Sequence, residues 1–247
     1  MLKPAKTLVL APHPDDAAFS VGGHILGRHL PAPITIVTLF GRSNYARGHF
    51  QTDAVSVTAL RRAEDEAWAR DANAGLVWLN APEAALRVGS TFQAVFGHAD
   101  HEHEAVNSAA ENLASYIEEV SPRLIVSPLG IGGHCDHVVT CEMAKEIARK
   151  NNIPIAFYEE LPYAFEASED EIVSAAARAL SDPLRTIKKL RPGELDAKCS
   201  SLSRYESQID ESVINAVRGH GLALNDVNGG ECFWVEANYS GMDVVFS

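Results

Sequence analysis

Cysteine is scarce in this chain: four residues in 247, at positions 135, 141, 199 and 232, with no Cys-x-x-Cys pair and no zinc-finger spacing. That excludes a disulfide-stapled scaffold and a structural zinc ribbon, and it suits a reducing compartment. No apolar span reaches the ~18 residues a membrane helix needs. The amino terminus enters a strand-like run without the layout of a signal peptide. Together these features lead us to expect a cytoplasmic protein. Positive charge is also in deficit, 21 Lys and Arg against 33 Asp and Glu, for a formal charge of −12. Such a balance disfavours non-specific binding to nucleic acid or an anionic membrane, although local arginines could still hold an anionic substrate. After the first apolar run the Gly-x-Gly-x-x-Gly fingerprint is missing, so Gly22-Gly23 does not make a dinucleotide site. There is no low-complexity linker and no repeat. With 46% hydrophobic residues the chain can bury one sizeable core, and we read 1–247 as a single domain.

What is present is a series of short apolar runs separated by helical patterns. Residues 8–11, 34–39, 76–79, 124–127 and 155–158 read as strands buried on both faces. Between them, helical spacing begins near Phe19, runs from Ser56 to Asn73, and recurs from Val106 to Val120 and from Val138 to Lys150. The expected fold is therefore α/β, a Rossmann-like parallel sheet of about five strands flanked by helices. Beyond the fifth strand the pattern loosens into an irregular C-terminal extension. There Glu169–Leu180 suggests a short helix, Leu184–Leu190 an extended edge, Pro192–Gln208 a helix, and Phe233–Val235 a late edge strand.

Two of these strands open directly into metal-ligand chemistry. The first is followed by His13-Pro14-Asp15-Asp16, and the fourth by Gly130-Ile131-Gly132-Gly133-His134-Cys135-Asp136-His137. In open parallel sheets, ligands bind outside the carboxyl ends of strands at the topological switch point, and a 3-2-1-4-5 order would make these two strands neighbours. His13 and Asp16 are donors suited to a divalent ion, and His137 can complete a set of three with an open position. Spacing alone does not separate Asp15 from Asp16 as base and ligand. A rival cluster, His98 to Glu104, is also rich in donors, although its acids suit a helix start.

His-Pro-Asp-Asp at 13–16 and His-x-Asp-His at 134–137, in order and each after a strand, resemble the PIG-L (LmbE-like) family of zinc-dependent N-acetyl-sugar deacetylases. Weaker similarity runs through Arg61-Arg62-Ala63-Glu64, Phe157 to Tyr163 and the Lys198 to Gln208 region. The family usually carries a glutamate after the paired aspartates; here that position is Ala17. The resemblance implies His13, Asp16 and His137 as ligands to one divalent ion per chain, zinc or alternatively iron(II). It implies Asp15 as general base, His134 as donor to the developing oxyanion, and Asp136 as the carboxylate that orients a histidine.

A protonated imidazole at His134 would serve that oxyanion best. Arg61 and Glu64, three apart on a helix, read as a surface ion pair, although the resemblance offers Arg61 to the site. Arg61, Ser43, Asn44 and Tyr158 are the candidates for contacting substrate. The expected reaction is removal of an acetyl group from an N-acetylated amino sugar or its conjugate. The alternatives are a metal- or carbohydrate-binding relative with weak or lost turnover, and a hydrolase of a non-sugar amide or ester. The expected partner is a small N-acetylated amino sugar, with no nucleic acid and no membrane; a homo-oligomer is left open.

Overall fold

The structure is a computed structural model and describes residues 6–47, 53–97 and 100–238. Seven strands form one sheet: β1 (Thr7–Ala11), β2 (Ile34–Thr38), β3 (Gly75–Trp78), β4 (Leu124–Pro128), β5 (Ile155–Tyr158), β6 (Pro183–Lys189) and β7 (Gly230–Glu236). Their order is β3-β2-β1-β4-β5-β7-β6. The first five strands pair in parallel, and β7 runs antiparallel to both β5 and β6. The expected 3-2-1-4-5 core is present, and its switch point lies between β1 and β4.

Alternation along the central strands decides what each face meets. Val9, Ala11, Ile36 and Val126 point into one apolar cluster, whereas Leu8, Leu10, Val37 and Ile125 point into the other. The first cluster is covered by α1 (Asp16–Leu26), α2 (Ala54–Asp71) and C-terminal helices described below. Two further short helices, α3 (Ala84–Arg87) and α4 (Phe92–Gly97), lead to α5 (Glu104–Val120), which covers the second face with α6 (Cys135–Asn151). In α5 the residues Val106, Ala109, Leu113, Ile117 and Val120 are buried, the stripe that the sequence spacing predicts. Ala17, where the resemblance leads one to expect glutamate, is buried in the first turn of α1 among apolar neighbours.

The C-terminal part departs most from the sequence expectation. The sheet has seven strands rather than about five, because both segments read as loose edges are full strands. Moreover β7 is interior, with Phe233, Trp234 and Val235 buried between β5 and β6. Two helices, α7 (Tyr163–Glu166) and α8 (Glu169–Ala179), precede β6. The helix expected over Pro192–Gln208 is α9 (Glu194–Ser201) followed by a 3-10 turn at Leu202–Arg204. A further helix, α10 (Glu211–Leu224), packs Val213, Ile214, Val217 and Leu224 on the core, but Gly219 and Gly221, poor helix formers, obscure it in the sequence. Among the described residues no helix is long and apolar enough to cross a membrane.

A buried ionic latch ties this extension to α1. Glu231 on β7 accepts from the backbone N–H groups of Gly23 and His24 at 2.8 and 2.9 Å, from His24 Nδ1 at 2.5 Å and from Lys198 Nζ at 2.6 Å. The approach requires glycine at 23, where a Cβ would stand 2.8 Å from the Leu190 side chain and 3.0 Å from Glu231 Oε1.

Candidate active site

The carboxyl ends of β1 and β4 deliver the two motifs to one place. β1 stops at Ala11-Pro12, and Asp15 then turns the chain into α1 with φ 108° and ψ −35°, a strained conformation for a residue with a Cβ. On the other side β4 ends at Pro128, and the turn through Gly130 (φ 80°) and Gly132 (φ 75°) brings His134 to the N-cap of α6. At Gly132 a Cβ would press to 3.0 Å on Tyr163, so glycine is needed for space as well as backbone angle.

Three donors converge there. Asp16 Oδ2 lies 3.3 Å from His13 Nδ1 and 3.4 Å from His137 Nε2. Among the described residues only this trio and the set His13, His134, Asp136 bring ligand atoms close enough to share an ion. The second set is already engaged. Asp136 Oδ2 accepts from His13 Nε2 and from the Ala84 N–H, both at 2.8 Å, and its Oδ1 faces the Arg87 guanidinium at 2.8 Å. By contrast, His137 is fully buried with no hydrogen-bond partner on either ring nitrogen. A buried imidazole of that kind, facing a carboxylate and a second imidazole, fits a divalent ion.

The electrostatics agree with a cation-seeking site. Burial alone would lower His13, but its bonds to Asp136 and Asp16 outweigh it and raise the ring to about 10. Burial would raise Asp16, yet the adjoining His137 and His13 hold it below the usual carboxylate range. A cluster that binds a proton this firmly offers the same negative field to a metal ion. Asp15 behaves oppositely: burial pushes it well above the usual carboxylate range, Arg61 pulls it partly back, and the adjacent Asp16 adds to the rise. Its side chain is therefore a stronger base than an exposed aspartate.

His134 is corrected in its charge. Its Nδ1 accepts the Asp136 N–H at 3.2 Å, which leaves the hydrogen of the neutral ring on Nε2. Burial, reinforced by His13 and His137, pushes this imidazole down to about 2, so it is a neutral donor and not the protonated one expected.

Arg61 is corrected as well. It is buried and forms no pair with Glu64. Instead Arg61 donates to Pro14 O at 3.2 Å and Asp15 Oδ2 at 3.3 Å with one nitrogen, and to Ser43 Oγ at 3.0 Å and Glu83 Oε2 at 3.3 Å with the other. It thus holds the strained Asp15 peptide from outside. Arg61→Lys keeps the charge but loses this fork, and we expect kcat to fall at least about 10-fold, measured by steady-state kinetics, because a small displacement of Asp15, the base that the resemblance implies, would cost rate steeply.

Glu64 accepts from the Ser207 N–H at 2.8 Å and its hydroxyl at 2.6 Å. Asp65 accepts from Tyr205 OH at 3.0 Å. The inward face of α2 therefore anchors Tyr205 and Ser207, just ahead of Gln208 and Ile209, which line the cavity of the site.

The result is a cavity of about 690 Å³ that reaches His13 and Asp16 of the candidate metal site. His13, Asp15, Asp16, Arg61, Asn44 and His134 line it. Ser43 and Tyr158 do not. Ser43 is buried, donating to Glu83 at 2.7 Å and accepting from Arg61, so it supports Arg61. Tyr158 is buried behind the cluster, its hydroxyl donating to Leu10 O at 2.9 Å.

The structure adds Glu83, Tyr45, Phe96, Tyr163, Gln208 and Ile209 to the walls. Glu83 follows Pro82 just beyond β3, and the rule that strand ends carry sites could have found it; the others follow from chain crossings with no local signature. The rival cluster disperses. Asp100 binds Arg87, His101 faces Glu142 at 3.2 Å, and His103 caps α5 through its Nδ1 at 3.1 Å. His98 lies outside the described residues.

A doubly wound sheet with two histidines and an aspartate gathered at its switch point defines an α/β protein built to hold a divalent metal. The PIG-L family, described as GlcNAc-PI de-N-acetylase, matches residues 8–148, more than half the chain, and the chain belongs to that family. A 2'-N-acetylparomamine deacetylase from Streptomyces fradiae is 29% identical over 227 residues, 89% of this chain and 79% of that protein. A deacetylase solved with teicoplanin, from the teicoplanin biosynthesis pathway, superposes with a TM-score of 0.75 at 22% identity, covering 93% of this chain and 97% of the other. The zinc-inhibited form of teicoplanin deacetylase Orf2 does so with a TM-score of 0.74 at 20% identity, over 94% and 99%. At these identities the solved structures establish the fold alone.

Proposed function

We propose that this protein is a metal-dependent hydrolase that removes an acetyl group from an N-acetylated amino sugar or its conjugate, with His13, Asp16 and His137 holding the ion. The observation that carries the reading is the convergence of those three donors beside a cavity whose wall holds Asp15, a carboxylate kept basic by burial. The family membership and the relative named 2'-N-acetylparomamine deacetylase support the substrate class. Zinc is the ion we propose, one per chain, on the imidazole-and-carboxylate donor set. A single sheet that draws strands from residue 7 to residue 236 supports reading 1–247 as one domain.

When bound, a divalent ion supplies a Lewis acid that polarises the acyl oxygen and acidifies water. Asp15 takes the proton from water as its oxygen adds to the acyl carbon. The Nε2–H of neutral His134 donates to the oxygen on which negative charge develops. Asp15 then returns the proton to the nitrogen as the C–N bond breaks, leaving acetate and a free amine. Asp136 fixes His13 through Nε2 and so leaves Nδ1 facing Asp16. Asn44 and Gln208 offer hydrogen bonds to sugar hydroxyls, and Phe96 and Ile209 offer apolar walls.

The test is acetate release from a panel of N-acetylglucosamine conjugates, linear N-acetyl amides and acetate esters. The proposal expects the sugar conjugates to lead in kcat/KM. Turnover confined to esters or non-sugar amides would overturn the substrate class.

A further inference from the structure

A further carboxylate stands beside His137, outside the cavity lining. Glu160, two residues past β5, is fully buried, and its Oε1 accepts from the backbone N–H groups of Gly130 at 2.5 Å and Ile131 at 3.2 Å. The same oxygen stands 3.5 Å from His137 Nδ1. Neither His137 Nδ1 nor Glu160 Oε2 has a hydrogen-bond partner, although both are buried from water. Buried polar groups are rarely left unpaired, and the Glu160 carboxylate is the acidic group that stands beside that nitrogen.

Resting on the metal-site reading above, we propose that Glu160 is the positioning residue of His137. In this scheme its carboxylate takes the Nδ1–H, fixes that tautomer and leaves the Nε2 lone pair for the ion. The direction of the ring supports this, because Nε2 is the nitrogen facing Asp16 at 3.4 Å. The two histidine ligands are then held by separate carboxylates through opposite nitrogens. Asp136 takes Nε2 of His13 and frees its Nδ1, while Glu160 takes Nδ1 of His137 and frees its Nε2. Such outer partners orient the ring and raise its basicity as a ligand. Because the same Glu160 oxygen binds the turn that delivers His134, it also sets the distance between His137 and that donor.

The experiment is zinc affinity of the full chain by competition with a chromophoric chelator, for the wild type, Glu160→Gln and His137→Ala. Nitrogen-15 spectra of the histidine rings follow in zinc-loaded wild type. Glu160→Gln keeps an oxygen for the Gly130 and Ile131 N–H groups, so the turn is retained, and circular dichroism checks the fold. The expected result is zinc affinity about 10- to 100-fold weaker in Glu160→Gln, with the His137 proton on Nδ1 in the wild type. An affinity within twofold of wild type in a folded Glu160→Gln protein overturns the proposal, as does a His137 proton on Nε2. If His137→Ala binds zinc like the wild type, the ligand assignment itself has failed, which is a different result from an unaffected Glu160 variant.

Discussion

Asp15→Asn is expected to lower kcat by about 10²- to 10⁴-fold, the usual contribution of a positioned general base, while one metal ion still binds per chain. The substitution preserves shape, and an amide oxygen can still accept from Arg61, so the α1 entry and its strained peptide should remain. What it removes is basicity, which burial raises at Asp15 whereas the neighbouring histidines outweigh burial at Asp16 and Asp136. Steady-state acetate release together with metal stoichiometry separates the outcomes. Loss of the ion along with activity would make Asp15 a ligand, and retention of more than a tenth of kcat would move the base elsewhere.

The largest expected effect on stability comes from the latch between α1, α9 and β7. Glu231→Ala strands the Lys198 ammonium, which is 2% exposed, with only Ser20 O at 3.1 Å as a remaining acceptor. Breaking a buried pair in this way costs about 3–5 kcal/mol, to be read by urea unfolding near neutral pH. The pH dependence follows in sign. Burial would raise Glu231, but Lys198 and His24 outweigh it and hold the carboxyl at about 2, against an ordinary value of 4.5. Its stabilisation is therefore complete above about pH 4.5 and is lost as the pH falls towards 2. The wild type should lose up to about 3 kcal/mol through this one group in that window, and the variant should show a shallower acid limb. Equal slopes in the two proteins would contradict the latch.

The parts of this molecule legible in the sequence are those with a local signature. β1 and β4 announce themselves as apolar runs, and both motifs sit immediately after them, so the switch point and its donors could be read without coordinates. The rest depends on which side a chain segment faces and on partners far away in sequence. Ser43 and Tyr158 stand near strand ends, as site residues do, yet both point behind the cavity. Arg61 and Glu64 obey the spacing of a surface pair, but their helix turns that face inward, where Asp15 and Ser207 are the partners. Glu231 meets Lys198 only because β7 enters the sheet between β5 and β6, a crossing with no local pattern. The charge of His134 has no local signature either, because it depends on the commitment of Nδ1 to a helix cap.

The most direct test of the central claim is acetate release from an N-acetylglucosamine conjugate by chelator-stripped protein as zinc is added back in sub-stoichiometric steps. The account predicts no turnover in the stripped protein, a rise to a plateau at one ion per chain, and no recovery in His137→Ala. Equal turnover in stripped and reloaded protein would contradict it.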